Sequence, residues 1–280
     1  MDHYRTWLFA PADVPDRCLK ALHSAADQVI WDLEDAVAPA RKEMARQTII
    51  RLESRVTTDR VPWVRVNDLG DLAVLAPQWP HQRWVVPQMD QSRFDQLSAL
   101  LEPTPFPREW LFLIESARGL WDLIHSNRPW NLAGDSIRLG FGALDYLNDL
   151  DASMTPEEWA LWGPRTLLPW VSRAWDWPSP IDTVFPYLED DAGLVLSTQR
   201  ARALGFQGRL IIHPQQITTV HGVFSPSEAE RQWAMQIVTQ AQGQGAVRVG
   251  GEMVDHPVLQ RAQRILDKIA THTDAKEGTE

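Results

Sequence analysis

Eight short apolar segments, each followed by a longer amphipathic stretch, constrain the fold of this chain more than any other feature. They are TWLFAPA (6–12), DQVIWDL (27–33), VPWVRVN (61–67), RWVVPQM (83–89), EWLFLIE (109–115), SIRLGFG (136–142), PIDTVFP (180–186) and RLIIHP (209–214). Their β-branched and aromatic content, with runs apolar on both faces, suits parallel strands buried on both sides. The intervening stretches carry helix signals. Pro15 and Pro39 sit where first turns would begin, and Ala45, Ile49, Leu52 and Val56 fall on one helical face. Eight strand–helix units without a Gly-rich phosphate turn predict an α/β fold, a (β/α)8 TIM barrel, instead of an open doubly wound sheet. The 280 residues lie within the range one barrel covers. The expected organisation is a catalytic barrel over 1–243, a C-terminal helical and hairpin appendage over 244–270 that packs on the barrel or reaches a neighbouring subunit, and a disordered tail over 271–280.

Composition excludes several function classes. The net charge is −10 with a pI near 5.3 and no run of Lys and Arg, so nucleic acid is a poor partner. No apolar run is long enough to span a bilayer, and charged residues stand where a signal peptide would be apolar. A cytoplasmic protein is expected, without a membrane partner. The single cysteine, Cys18, allows neither an intrachain disulfide nor a Cys-rich zinc site. Fourteen Trp residues without a fixed period are assigned to packing in preference to ligand platforms.

In a barrel the chemistry lies where strands end at their C-termini. Asp32, Glu34 and Asp35 crowd four positions at the end of the second segment, and such proximity calls for a cation or basic groups to share the charge. Arg65 and Asn67 end the third segment, Gln88 the fourth, Glu115 the fifth; Asp145 follows the sixth and His213 ends the eighth. Glu115 and Asp145 together form a hard oxygen site suited to Mg²⁺ or Mn²⁺, with Glu34 and Asp35 hydrogen-bonding the cation's waters. The competing structural reading pairs Glu115 with Arg118 and makes the early cluster a helix cap. Arg65, an isolated cation in an apolar strand, is either a fork for a substrate carboxylate or enolate oxygen, or an ion-pair partner of Asp32, Glu34 or Asp35. Gly140 and Gly142, flanking Phe141, either offer backbone N–H groups to a ligand carboxylate or make a tight turn. His213 is a candidate base, with a hydrogen-bonded structural role the stronger alternative.

The motifs LFAPADVPDR, VIWDLEDAVAP, WVRVN, LIESARGL, LGFGALD, RLIIHPQQI, VFSPSEAE and MVDHPV together resemble the citrate lyase β-subunit-like family of Mg²⁺-dependent acyl-CoA lyases, which includes malyl-, citramalyl- and citryl-CoA lyases. The resemblance implies a barrel with a C-terminal appendage in homotrimers or hexamers, and a metal on Glu115 and Asp145. It also implies Arg65 at the thioester or enolate oxygen and Asp255 delivered from a neighbouring subunit to move a proton. Arg17, Lys20 and Lys42 are similar to residues that meet the CoA phosphates. Gln88 departs from the Lys many relatives carry there, and residues 153–187 match loosely.

Overall fold

The computed structural model describes residues 4–57, 60–101, 107–132, 134–241, 247–249 and 252–277. Eight parallel strands, β1 (Thr6–Pro11), β2 (Gln28–Asp32), β3 (Trp63–Arg65), β4 (Arg83–Val86), β5 (Glu109–Ile114), β6 (Ser136–Phe141), β7 (Ile181–Asp182) and β8 (Gly208–Ile211), close in sequence order into a barrel. Between and after them lie α1 (Pro15–Leu22), α2 (Lys42–Leu52), α3 (Leu69–Leu75), α4 (Gln91–Leu100), α5 (Ala117–His125), α6 (Ala143–Asp149), α7 (Trp162–Ala174), α8 (Asp191–Leu204), α9 (Gln216–Phe224), α10 (Glu228–Ala241) and α11 (His256–Glu277). Pro15 and Pro39 stand at helix starts as their fixed φ favours. Asp68, Asp90, Ser116 and Asp190 cap α3, α4, α5 and α8 through side-chain oxygens.

A compact unit spans Tyr4–His221, and a second begins at Gly222. The division falls at residue 221 instead of 243. The second unit contains an antiparallel hairpin of β9 (Val247–Val249) and β10 (Glu252–Val254), and a core of Ala234, Ile237, Ala241, Val254 and Ala262. The expected tail is helical as far as Glu277, because Ala275, Lys276 and Glu277 favour helix and no breaker precedes Gly278. Residues 242–246, 250–251 and 278–280 of those regions lie outside the described residues. Among the described residues no helix is long and apolar enough to cross a membrane.

The barrel interior holds one buried cluster, Trp7, Ile30, Trp63, Val85, Leu111, Leu113, Ile181 and Leu210. Trp7 and Trp63 lie with ring centroids 5.0 Å apart. Trp31, Trp84 and Trp110, at the alternate positions of β2, β4 and β5, are buried as well, as are Trp79 and Trp130, so half of the fourteen serve packing. Trp159 and Trp170 are 71% and 74% exposed and have no such role.

Strand β7 is far shorter than its sequence segment and pairs with β6 through Gly140 and Ile181 alone. A buried ionic network on its outer face secures it. Arg165 of α7 bonds Glu158 at 2.8 Å and Asp182 of β7 at 3.0 Å. Arg209 of β8 also pairs with Asp182, while Ser197 of α8 and Arg200 bond Glu158 at 2.7 and 3.0 Å. Burial alone would raise the Glu158 pKa; Arg165, Ser197 and Arg200 outweigh it and hold the carboxyl at about 2. A depressed carboxylate pKa stabilises the fold above its unfolded value and loses that contribution as pH falls. The loss therefore runs from about 4.5 down to about 2. Glu158→Gln is expected to cost roughly 2–3 kcal/mol at neutral pH. Its urea-unfolding free energy should also decline less steeply than that of the parent between those two pH values.

Candidate active site

Successive side chains of a strand alternate sides, so the residue two positions beyond each lumen residue faces the same lumen, one layer nearer the C-terminal rim. Two beyond Trp7, Ile30, Trp63, Leu113, Ile181 and Leu210 stand Phe9, Asp32, Arg65, Glu115, Thr183 and Ile212. All six line a cavity of about 320 Å³, joined by Asp35, Gly142, Asp145 and the apolar Leu144 and Val184. The cavity therefore occupies the layer above the Trp-filled core.

Arg65, 7% exposed, is its one lining cation among the described residues. Its Nε and Nη2 donate to the two oxygens of Asp32 at 2.6 and 2.7 Å. Nη1 lies 2.6 Å from Glu34 Oε2 and 3.4 Å from Asp35 Oδ2, and the guanidinium stacks on Phe9, 4.6 Å from the ring centroid. The ion-pair alternative for Arg65 is thus present, and Nη1, beside Glu34 and Asp35, is the nitrogen that Asp32 does not take. Asp32 also accepts from the N–H groups of Glu34 and Ala36 at 2.8 and 3.1 Å. Asp32, not Glu34 or Asp35, is the member of the early cluster that organises the turn. Glu34 Oε2 accepts no hydrogen bond, so its contact with Nη1 is an ion pair outside the N–H directions.

Glu115 is 5% exposed and accepts the Gln88 N–H at 2.7 Å. Gln88 adopts φ 50°, an uncommon left-handed conformation that aims this amide. The proposed pairing of Glu115 with Arg118 is not made: Arg118 is exposed and bonds Asp122 at 2.9 Å. Burial pushes the Glu115 carboxyl up, the Gln88 N–H and Arg65 oppose it, and Asp145 and Asp35 push further, to about 7. Burial, offset in part by Arg65 and reinforced by Glu115, Asp35 and Asp32, takes Glu34 to about 8. Asp145 is raised by burial and by Asp35. One guanidinium, already paired with Asp32, faces four further carboxylates. This excess negative charge and an all-oxygen donor set fit a hard divalent cation on Glu115 and Asp145. Among the described residues no group of three or more His, Cys, Asp or Glu is arranged to hold an ion; Mg²⁺ commonly takes only one or two carboxylates and completes its shell with water or substrate oxygens.

Several expectations are corrected by geometry. The Gly142 N–H donates to the Ile114 carbonyl at 3.0 Å, so it is not open to a ligand carboxylate. Gly140 and Phe141 lie within β6, in register with Leu113 and Ile114, and Phe141 is fully buried. The glycines instead make room for neighbours: a Cβ on Gly140 would lie 2.5 Å from Leu113 Cδ2, and one on Gly142 2.3 Å from Glu115 Oε1. His213 is exposed, and its Nδ1 accepts the Gln215 N–H at 3.3 Å, a turn contact. Asn67 is engaged with Asp68 and Asp71. Lys42 donates to the carbonyls of Leu33 and Glu34 at 2.6 Å each, clamping the acidic loop; Arg17 and Lys20 are exposed on α1. Asp255 belongs to the second unit, where it is exposed and accepts the Val258 N–H at 3.2 Å at the start of α11. Sequence reasoning missed Phe9, Thr183, Val184 and Ile212. The alternation two residues beyond Trp7, Ile181 and Leu210 was the available signal for three of them.

A closed parallel barrel with an acidic, arginine-bearing cavity at its strand ends has the layout of a (β/α)8 enzyme, whose chemistry lies at that face. The HpcH/HpaI aldolase/citrate lyase family model matches residues 5–214, and the chain belongs to that family. A citrate lyase subunit beta-like protein of Deinococcus radiodurans is 31% identical over 279 residues, spanning 94% of this chain and 96% of its own length. A (3S)-malyl-CoA thioesterase of Cereibacter sphaeroides is 29% identical over 277 residues, spanning 95% and 94%. Among solved structures, CitE of Mycobacterium tuberculosis in complex with magnesium, acetoacetate and coenzyme A is similar at a TM-score of 0.77 and 29% identity, covering 95% of this chain and 98% of that one.

Gly142→Ala is expected to lower stability by about 1–3 kcal/mol, the range for overpacking a filled site, because the added methyl would overlap Glu115. Urea unfolding reads the cost, and a crystal structure of the variant should show Glu115 turned from the Gln88 amide.

Proposed function

We propose that this chain is a Mg²⁺-dependent lyase that cleaves, or in reverse condenses, a 3-hydroxy-dicarboxyl-CoA thioester to an acyl-CoA and a 2-oxo acid. The observation that carries it is the cavity in which Arg65, Glu115 and Asp145 meet with more carboxylate than cation. Family membership and the magnesium and coenzyme A ligands of the related CitE support it. Cleavage removes the hydroxyl proton, breaks the bond between the hydroxyl carbon and the thioester α-carbon, and leaves an enolate that takes up a proton. A divalent cation supplies Lewis-acid stabilisation to the oxygens that gain charge. Glu115 and Asp145 would hold that cation, with Glu34 and Asp35 as the nearby carboxylates available to its bound waters. Arg65, fixed by Asp32, donates from Nη1 toward the enolate oxygen. Asp255, exposed in the second unit, returns a proton to the acetyl carbon from a neighbouring subunit of a homotrimer or hexamer. Arg17 and Lys20 take the CoA phosphates. A cytoplasmic location suits a CoA thioester.

The test is thiol release and 2-oxo-acid formation from malyl-, citramalyl-, β-methylmalyl- and citryl-CoA, with Mg²⁺ and with chelator. Chelator-sensitive formation of both an acyl-CoA and a 2-oxo acid supports the lyase. Thiol without 2-oxo acid would move the reaction to thioester hydrolysis, the activity in the name of the Cereibacter relative. Glu115→Gln is expected to weaken Mg²⁺ binding by at least tenfold in calorimetry, since a carboxylate ligand becomes neutral. Asp255→Asn keeps a helix-capping side chain; it should abolish turnover while leaving Mg²⁺ affinity within about twofold, as expected of a change outside the ligand set.

A further inference from the structure

The cavity has two unlike arcs. Following the barrel order, the charged residues come from β2 and its loop (Asp32, Asp35), β3 (Arg65), the end of β5 (Glu115) and the start of α6 (Asp145). The adjoining arc, β7–β8–β1, contributes Val184, Leu210, Ile212 and Phe9, with the Thr183 hydroxyl occupied by the Ala143 N–H at 2.9 Å. No cation stands on that arc among the described residues lining the cavity. Arg65 borders it, stacked on Phe9 at 4.6 Å, but gives two nitrogens to Asp32 and sets the third beside Glu34 and Asp35.

We infer that the 2-oxo acid formed here is a monocarboxylate bearing a short alkyl group, of the pyruvate or 2-oxobutyrate class, and not a dicarboxylate. This rests on the lyase reading above. The acid's carboxylate and keto oxygen belong with the cation and the polar arc. Its remaining carbon substituent is then left to the apolar arc. An alkyl group there displaces water from Phe9, Val184, Leu210 and Ile212. A second carboxylate would lose its hydration against the same side chains, meet only a guanidinium already paired with Asp32 and Glu34, and add to an existing excess of negative charge. Hydrogen in place of the alkyl group leaves the apolar arc uncovered, which is worth about tenfold for one methyl.

The experiment measures binding of pyruvate, 2-oxobutyrate, glyoxylate and oxaloacetate to the Mg²⁺-loaded full chain by calorimetry, alongside kcat/KM for citramalyl-CoA and citryl-CoA. Those two thioesters differ at this substituent, methyl against carboxymethyl. Pyruvate and 2-oxobutyrate are expected to bind at least tenfold more tightly than oxaloacetate, and citramalyl-CoA to be preferred by about a hundredfold. Ile212 is 43% exposed, so Ile212→Lys should fold; it is expected to shift the binding ratio toward oxaloacetate by at least fivefold. Equal or tighter oxaloacetate binding, or an unchanged ratio in Ile212→Lys, overturns the inference and leaves the lyase reading intact. Binding of none of the four acids, with no thioester cleaved, overturns both.

Discussion

Everything at the mouth of this barrel depends on one geometric constraint: a strand in a closed parallel barrel must send every second side chain into the same lumen. Trp7 and Trp63 fill the lower part of that lumen, and the positions two further along have no choice but to surround whatever opens above. Arg65 shows the consequence. A guanidinium this deeply placed needs a partner, and Asp32, its register neighbour on β2, provides one with both oxygens. With that pair formed, Arg65 is held at a fixed height and presents a single nitrogen to the cavity.

The surplus of carboxylates follows from the same crowding. Glu34, Asp35, Glu115 and Asp145 enter a space where burial disfavours their charged forms and where Arg65 is already committed. In a protein selected only for stability such a cluster would be replaced, since buried like charges destabilise the fold. Its presence at the rim that barrel enzymes use for chemistry links the electrostatic cost to cation binding. Gln88 at φ 50° and the absence of a side chain at Gly142 are two local concessions of the backbone to the position of Glu115.

Much of this was legible in the sequence. The eight apolar segments located all eight strands, and reading their last residues located Asp32, Arg65, Glu115 and Asp145. What was not legible has physical causes. Strand β7 shrank to two residues between Pro180 and Pro186, and the network that secures it joins Glu158, Arg165, Asp182 and Arg209 across long separations no periodicity reveals. The pattern GFG suggested open backbone amides, yet the Gly142 amide is consumed by Ile114 and both glycines serve the side chains of β5. Lys42 looked like a phosphate contact because its charge was visible and the carbonyls it holds were not.

The layering also separates two selective pressures. Cohesion resides in Trp7 and Trp63 and in the ionic network outside β7 and β8, none of which lines the cavity. The apolar arc at the mouth, by contrast, includes Ile212, more than two-fifths exposed and contributing little to the core. Substitutions there can accumulate at small cost to folding. A scaffold built this way is open to divergence: lineages can exchange one small acid for another at the arc while the charged half of the mouth, and the reaction it supports, stays as it is.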